Sequence, residues 1–260
     1  MHPMLNIARR AAEKAGDYLE RSFERVDQIQ AEQKGRNDFV SEVDRNAEQM
    51  ILTILQEKYP DHQFICEESG IVGKEGAEYQ WIIDPLDGTT NFLHGLPHFA
   101  ISMGIKHKGV LTHAMIYDPI KREEFSATRG QGAQLNGRRI RVSTPVKIEG
   151  TLLGTGMPFR VNQGHIADQY WKQLQDLSQD AAGIRRQGAA ALDLAYVAAG
   201  RLDGFWEYGL QPWDMAAGIL IVREAGGLCV DLDGSDNYLE SGNIVAANPK
   251  LLKQLAGRLK

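Results

Sequence analysis

Residues 81–92 read Trp81-Ile82-Ile83-Asp84-Pro85-Leu86-Asp87-Gly88-Thr89-Thr90-Asn91-Phe92. An apolar run ends in the carboxylate of Asp84, Pro85 fixes the following turn, and Asp87 comes three residues after Asp84. Gly88 then lets the backbone approach a ligand closely. Two carboxylates on one tight turn suit a hard divalent cation such as Mg²⁺, which takes oxygen ligands. We therefore expect a buried strand that ends in a metal-binding turn.

A turn held by side-chain-to-backbone hydrogen bonds is the alternative interpretation of the same residues. The place of Asp84 at the end of an apolar strand favours a metal, because an unpaired carboxylate is costly to bury there. The backbone N–H groups of residues 88–90 would in addition meet the oxygens of a phosphate.

Acidic residues in a similar context occur at two other places. Glu67 and Glu68 directly follow the apolar run 64–66, and Asp214 directly precedes the apolar run 215–222. Taken alone, the first pair fits a solvated loop and Asp214 fits a helix N-cap. Their occurrence together with the turn at Asp84 favours a shared metal site.

Apolar periodicity predicts the secondary structure. Helices are expected at 4–23, 44–58, 169–177, 189–199 and 215–225. Strands are expected at 63–66, 79–84, 100–106, 111–117, 151–155, 205–208 and 228–232, with 100–106 and 111–117 forming a hairpin. Short polar turns are expected through 129–132 and 136–137.

The pattern changes near residue 145. Before it, strands and helices suggest an α+β half, residues 1–145, that carries Glu67 and the turn from Asp84 to Asp87. After it, alternating strands and helices suggest an α/β half, residues 146–260, that carries Glu207 and Asp214.

Composition excludes several classes of protein. The 260 residues carry 29 Lys and Arg against 34 Asp and Glu, a net charge of −5, which argues against a chain-wide nucleic-acid surface. No apolar run approaches the ~18 residues of a membrane helix, and the N-terminal residues lack the apolar core of a signal peptide. Cys66 and Cys229 are too few for a disulfide framework. We expect a cytoplasmic protein without a membrane partner.

Two segments resemble the signatures of the inositol monophosphatase family. Residues 81–92 are similar to the first signature, Trp213-Asp214-Met215-Ala216-Ala217-Gly218 to the second, and Glu67-Glu68-Ser69 lies where the family keeps a further acidic ligand. The resemblance covers essentially the whole chain and is closest to the bacterial branch also implicated in ribosomal RNA transcription antitermination. It implies a layered α/β/α/β/α sandwich, a homodimer, inhibition by lithium, and a Mg²⁺-dependent phosphatase of inositol 1-phosphate.

The same resemblance implies the metal ligands and the catalytic residues. One Mg²⁺ would be held by Glu67, Asp84 and the Leu86 carbonyl. A second would be held by Asp84, Asp87 and Asp214, and Glu67 would help to hold a weaker third. A two-metal site can activate water and stabilise both oxygens of an in-line displacement without a covalent intermediate.

The remaining implied roles concern water and substrate. Thr89, paired with Asp44, would help Glu67 to activate the attacking water, and the N–H groups of Gly88 and Thr89 would bind the phosphate. Arg185 would reach the substrate from just upstream of a hydroxyl-binding segment. The other implied substrate contacts are Asp87, Gly188, Ala190, Glu207 and Asp214, with Ala189 standing where relatives often have Thr or Ser.

Two other functions stay open at this point. A haloacid-dehalogenase-type phosphatase would use Asp84 as its nucleophile, but its Asp-x-Asp-Gly-Thr motif is one residue shorter than the spacing from Asp84 to Thr89. A binding factor of the transcription antitermination machinery, in contact with RNA polymerase and Nus factors, would make phosphatase activity incidental.

Overall fold

Layers of helices and sheets alternate in the computed structural model, which describes residues 2–29, 31–35, 38–158 and 164–259. The helices are α1 (Pro3–Phe23), α2 (Glu42–Lys58), α3 (Thr89–Leu93), α4 (Gly164–Ser178), α5 (Ala190–Ala198), α6 (Pro212–Glu224), α7 (Tyr238–Ser241) and α8 (Pro249–Arg258). The strands are β1 (Ala31–Gly35), β2 (Asp38–Ser41), β3 (Gln63–Cys66), β4 (Gly70–Gly73), β5 (Tyr79–Asp87), β6 (Ala100–His107), β7 (Val110–Asp118), β8 (Glu123–Thr128), β9 (Gly132–Leu135), β10 (Arg138–Arg139), β11 (Leu152–Thr155), β12 (Gly183–Arg185), β13 (Gly204–Glu207), β14 (Leu228–Val230) and β15 (Ile244–Ala247).

The larger sheet has the strand order β10-β9-β8-β7-β6-β5-β3-β4. Its neighbours are antiparallel except for β3 and β5, which run parallel and therefore end at the same edge of the sheet. The predicted hairpin is confirmed, since β6 and β7 pair antiparallel from Ile101 opposite Tyr117 to His107 opposite Val110. The parallel pair matters most, because Glu67 follows one of its strands and Asp84 lies on the other.

The smaller sheet has the order β12-β11-β13-β15-β14. Strand β11 runs parallel to β12 and to β13, whereas β15 is antiparallel to both β13 and β14. Its parallel strands β12 and β13 end on the same side, so Arg185 and Glu207 leave the sheet at one edge.

Three apolar clusters hold the layers together. One packs α1 and α2 on the larger sheet, with Leu19, Ile51 and Trp81 fully buried. A second lies between the two sheets around α5 and α6, and a third packs α4 and α8 on the outer face of the smaller sheet. The order is α/β/α/β/α, as the family resemblance implied.

The middle cluster joins both sides of residue 145. Ile116 and Phe125 of the larger sheet share it with Leu194 of α5 and Ile219 of α6. The division into halves at residue 145 stays a prediction, and these residues show that the segments before and after it bury one common core.

The structure corrects the start of one predicted helix. Helix α6 begins at Pro212 and not at Met215, because Pro fits the first turn and Gln211 serves as the N-cap. The turns expected through 129–132 and 136–137 are confirmed, and they connect β8 to β9 and β9 to β10, the edge strand of the larger sheet. In the part of the chain that the structure describes, no helix is long and apolar enough to cross a membrane.

Candidate active site

Strand β5 delivers the two carboxylates of the predicted metal-binding turn. Its pairing with β6 is irregular between Asp84 and Asp87, which lets both side chains leave the regular alternation. Asp84 is only 1% exposed, and its Oδ1 accepts the N–H of Leu86 at 2.9 Å. The turn therefore contains a side-chain-to-backbone hydrogen bond, as the alternative interpretation predicted. This bond holds the Asp84 carboxylate inside the cleft described below.

Gly88 ends the turn in a conformation that suits only glycine. Its φ is +96°, and a Cβ atom placed there would lie 3.0 Å from the carbonyl oxygen of His98 and 3.3 Å from Cβ of Ala189. Helix α3 begins at the next residue. The first N–H groups of a helix have no acceptor within it, so this turn offers donors to an anion.

Thr89 connects the turn to helix α2. Its hydroxyl lies 2.9 Å from Oδ1 of Asp44 and 3.0 Å from the carbonyl oxygen of Leu86. The other Asp44 oxygen accepts the N–H and the hydroxyl of Ser41, at 2.8 and 2.7 Å, as the capping box of α2. Burial raises the pKa of Asp44, and the hydrogen bonds from Ser41 and Thr89 oppose this shift.

Glu67 comes from the tight turn that joins β3 and β4. Cys66 and Gly70 form the last pair of these strands, and the Glu67 N–H donates to the carbonyl of Ile83 on β5 at 3.2 Å. The next two amides, those of Glu68 and Ser69, donate to the two oxygens of Glu48 at 2.9 and 2.8 Å.

Asp214 and Glu207 enter from the second part of the chain. Asp214 lies in the first turn of α6, where its Oδ2 accepts the Gln211 N–H at 2.7 Å. Glu207 ends β13 against Gly156, where a Cβ atom would lie 1.9 Å from Cδ of Glu207. Any side chain at residue 156 would therefore displace this carboxylate.

One cleft collects these groups. It is lined by Glu67, Asp84, Leu86, Asp87, Gly88, Thr89, Thr90, Gly156, Arg186, Gly188, Ala190, Glu207, Leu210 and Asp214. This lining includes every residue that the sequence predicted as a metal ligand: Glu67, Asp84, Leu86, Asp87 and Asp214. Asp44 lies behind Thr89, outside the lining.

Arg185 is the predicted residue that the structure places elsewhere. Its side chain is exposed and folds back on its own strand, where Nη1 lies 3.3 Å from the carbonyl oxygen of Ile184. Successive side chains of a strand point in opposite directions, so the next residue, Arg186, is the one that lines the cleft.

The electrostatics of the cleft fit a cation. Burial raises the pKa of Asp84, as do the nearby charges of Glu67, Asp87 and Asp214 and a hydrogen bond with Glu67. Burial and the charge of Asp214 also raise the pKa of Asp87, although its Oδ2 accepts the Ala191 N–H at 2.8 Å. Crowded carboxylates of this kind are stabilised by a bound proton or a cation.

The ligand atoms in the cleft suit Mg²⁺. Carboxylate and carbonyl oxygens are the ligands that Mg²⁺ prefers, and the cleft supplies both. Among residues 2–29, 31–35, 38–158 and 164–259, no three His, Cys, Asp or Glu side chains are arranged as a closed ligand set. We therefore expect the carboxylates to adjust when a cation binds.

Sequence reasoning missed several residues around the cleft. Glu48, Gly156, Arg186 and Gln211 were not among its candidates. The spacing of Asp44 and Glu48 on one helix could have identified the latter, since residues four apart share a face. The nearness of Gly156 to Glu207 depends on contacts between distant segments and leaves no local signal.

Known proteins resemble this chain in sequence and in structure. The chain is 57% identical over 257 residues to a Nus factor SuhB from Pseudomonas aeruginosa, covering 98% of this chain and 95% of that protein. The extragenic suppressor protein suhB from Bartonella henselae has a similar structure, with a TM-score of 0.96, 45% identity, and coverage of 100% and 99% of the two chains. An inositol monophosphatase from Thermotoga maritima gives a TM-score of 0.89 at 34% identity, with coverage of 99% and 97%. The sequence profile of the inositol monophosphatase family matches residues 1–260, and the chain belongs to this family.

Proposed function

We propose that this protein is a Mg²⁺-dependent phosphatase that hydrolyses small polyol monophosphates, with inositol 1-phosphate as the lead substrate. The observation that carries the proposal is the convergence of Glu67, Asp84, Asp87 and Asp214 in one cleft beside the N-terminus of α3. Asp84 is 1% exposed and the other two aspartates 8%, so three negative charges that are costly to bury lie in this cleft.

The ligands divide into two groups. Glu67, Asp84 and the Leu86 carbonyl would hold one Mg²⁺, and Asp84, Asp87 and Asp214 would hold a second. Glu67 would also help to hold a weaker third. When bound, Mg²⁺ supplies positive charge that lowers the pKa of water and stabilises the oxygens of the transferring phosphoryl group.

The chain's own residues orient the reactants. The Thr89 hydroxyl donates to Asp44, so its oxygen faces the cleft as an acceptor for a proton of the attacking water. Glu67 accepts a hydrogen bond from the other proton of this water. The N–H groups of Gly88 and Thr89 bind the phosphate, whose negative charge suits a helix N-terminus.

The polyol ring would lie toward Glu207 and the segment from Gly188 to Ala190. Gly156 leaves Glu207 the space to accept hydrogen bonds from ring hydroxyls. Arg186 supplies a cation at the same end of the cleft, which suits a further anionic or hydroxyl group of the substrate. These contacts set which phosphate ester is preferred.

Phosphate release from inositol 1-phosphate, with and without Mg²⁺ and then with added Li⁺, tests the proposal. We expect turnover that requires Mg²⁺ and is inhibited by Li⁺. Asp84→Asn serves as the control, since it keeps the shape of the cleft and removes the ligand shared by both metal sites. A folded protein that releases no phosphate in the presence of Mg²⁺ would contradict the assignment.

A nucleophilic role of Asp84 makes a different prediction. The Leu86 N–H and the Glu67 carboxyl already engage Asp84, which supports a ligand more than an attacking group. Quenched turnover should therefore trap no phosphorylated enzyme, and a phosphoaspartate at Asp84 would favour the haloacid-dehalogenase type.

A second candidate function rests on the relatives named Nus factor SuhB, at 57% and 52% identity. We infer that this chain also associates with the transcription antitermination machinery, RNA polymerase and Nus factors, and that it forms a homodimer. Asp87→Asn separates the two functions: it should abolish hydrolysis and leave a transcription role intact. Sedimentation equilibrium measures the oligomeric state.

A further inference from the structure

Helix α2 carries two buried carboxylates on the face toward the cleft. Asp44 and Glu48 are four residues apart, so they lie one turn from each other, and both are 1% exposed. Asp44 contacts the Thr89 hydroxyl, whereas Glu48 accepts hydrogen bonds from the backbone of the turn after β3. Burial of a carboxylate charge is costly, so a role is expected for Glu48 that a neutral side chain could not fill.

The hydrogen bonds of Glu48 use both of its oxygens. Oε2 accepts the Glu68 N–H at 2.9 Å and Oε1 accepts the Ser69 N–H at 2.8 Å. Hydrogen bonds to a charged acceptor are stronger than those between neutral groups. The two amides belong to consecutive residues, so the carboxylate fixes the orientation of the peptide planes that follow Glu67.

The turn is thereby held at three consecutive amides. The Glu67 N–H donates to Ile83 on β5, and the next two donate to Glu48 on α2. Without Glu48, the backbone would stay anchored up to Glu67 and lose its support directly after it. The direction of the Glu67 side chain depends on both flanking peptide planes.

We propose that Glu48 is a positioning residue that holds Glu67 in the orientation needed for Mg²⁺. This inference rests on the proposed function, since it concerns the metal that Glu67 is proposed to bind. Helix α2 then sets two parts of the cleft relative to each other: Thr89 through Asp44, and Glu67 through Glu48.

Calorimetric titration with Mg²⁺ alone tests the proposal on the wild-type chain, Glu48→Gln and Glu57→Gln. The amide of Glu48→Gln keeps one acceptor but directs its NH₂ group at a backbone N–H. We expect Mg²⁺ binding about tenfold weaker, the lower range for the loss of a group that orients a metal ligand. Glu57 is exposed near the end of the same helix, so Glu57→Gln should bind like the wild type.

Kinetics separate positioning from a general structural role. At saturating Mg²⁺, Glu48→Gln should keep the wild-type KM for inositol 1-phosphate and recover most of its kcat. A purely structural role would lower the melting temperature in EDTA and leave Mg²⁺ affinity within twofold of the wild type, which would overturn the proposal. If Glu48→Gln does not fold, Glu48→Asp retains the charge, shortens the side chain and should weaken Mg²⁺ binding in the same direction.

The wild-type titration distinguishes the two levels of inference. A wild-type chain that binds no Mg²⁺ overturns the proposed function and the role of Glu48 together. Mg²⁺ binding that is equal in the wild type and in Glu48→Gln overturns only the role of Glu48.

Discussion

Asp214 contributes to the fold and also lines the cleft. Its Oδ2 caps helix α6 through the Gln211 N–H, while the residue lines the cleft. Asp214→Asn should keep the cap, because an amide oxygen also accepts a hydrogen bond. It should lose at least ~10²-fold in kcat/KM, because ~10²-fold is already the upper range for a group that only supports a metal ligand. Steady-state kinetics across a Mg²⁺ titration measure this, and near-normal turnover with normal Mg²⁺ dependence would contradict the assignment.

His113 makes stability depend on pH. Burial lowers the pKa of His113 to about 4, and the neighbouring charges of His2 and His107 act in the same direction. Below the ordinary His pKa of about 6.5 the unfolded chain binds a proton that the folded chain does not, so folding stability falls as the pH decreases. Above pH 6.5 the protonation of His113 costs no folding stability. The free energy of unfolding falls as the pH decreases from 6.5 to about 4.

The variant His113→Gln isolates this contribution. Urea unfolding at several values between pH 7.5 and 4.5 should show a shallower decline for the variant, by up to ~1.4 kcal/mol per pH unit. Parallel curves for the two proteins would show that His113 does not titrate with the lowered pKa.

At the scale of the element, Gly88 determines where β5 ends and α3 begins. Gly88→Ala should destabilise the fold by about 2 kcal/mol, the upper range of the left-handed conformational cost, because the new Cβ also crowds the His98 carbonyl. Gly234→Ala is a matched control, since Gly234 has a similar φ of +90° and open space around its Cβ position. Urea unfolding should show a larger loss for Gly88→Ala, and only this variant should lose phosphatase activity. Equal losses of stability would show that crowding contributes nothing.

Several elements with clear apolar periodicity were predictable from the sequence, whereas strand β8 was not. Strand β3 was predicted at its observed bounds, and the β6–β7 hairpin was identified from its turn. Strand β8 was missed because it buries Glu124 and Ser126, and Glu124 is paired with Arg9 on α1. A charge that is neutralised by a partner far along the chain hides the alternation typical of a strand.

The residues of the candidate site were also predictable only in part. The turn from Asp84 to Gly88 was identified because strand, carboxylates and glycine are adjacent in the sequence. Arg186 and Gly156 required the structure, since a one-residue shift at the end of β12 and the approach of β11 to β13 determine their positions.

At the scale of the whole molecule, Mg²⁺ should stabilise the fold because it relieves the repulsion among the carboxylates of the cleft. At 100 times the Kd, a ligand that binds only the folded state adds about 2.7 kcal/mol. For a chain of this length that corresponds to a rise in Tm of roughly 5 °C. Differential scanning calorimetry in EDTA and in excess Mg²⁺ measures the shift.

Asp84→Asn provides the matched variant for this measurement. It should melt higher than the wild type in EDTA, because one crowded charge is gone, and it should gain little from Mg²⁺. A wild-type Tm that is equal in EDTA and in Mg²⁺ would contradict a metal site in the cleft.

The helices between the two sheets influence how a substitution in the core would affect the cleft. Asp84 and Asp214 are far apart in the sequence, yet strand β5 and helix α6, which carry them, pack against each other. A cavity-forming substitution between β5 and α6 would therefore change the distance between these two carboxylates. We expect phosphatase activity to be sensitive to such a change, and we expect a proteolytic fragment ending near residue 145 to have none, because it lacks Asp214.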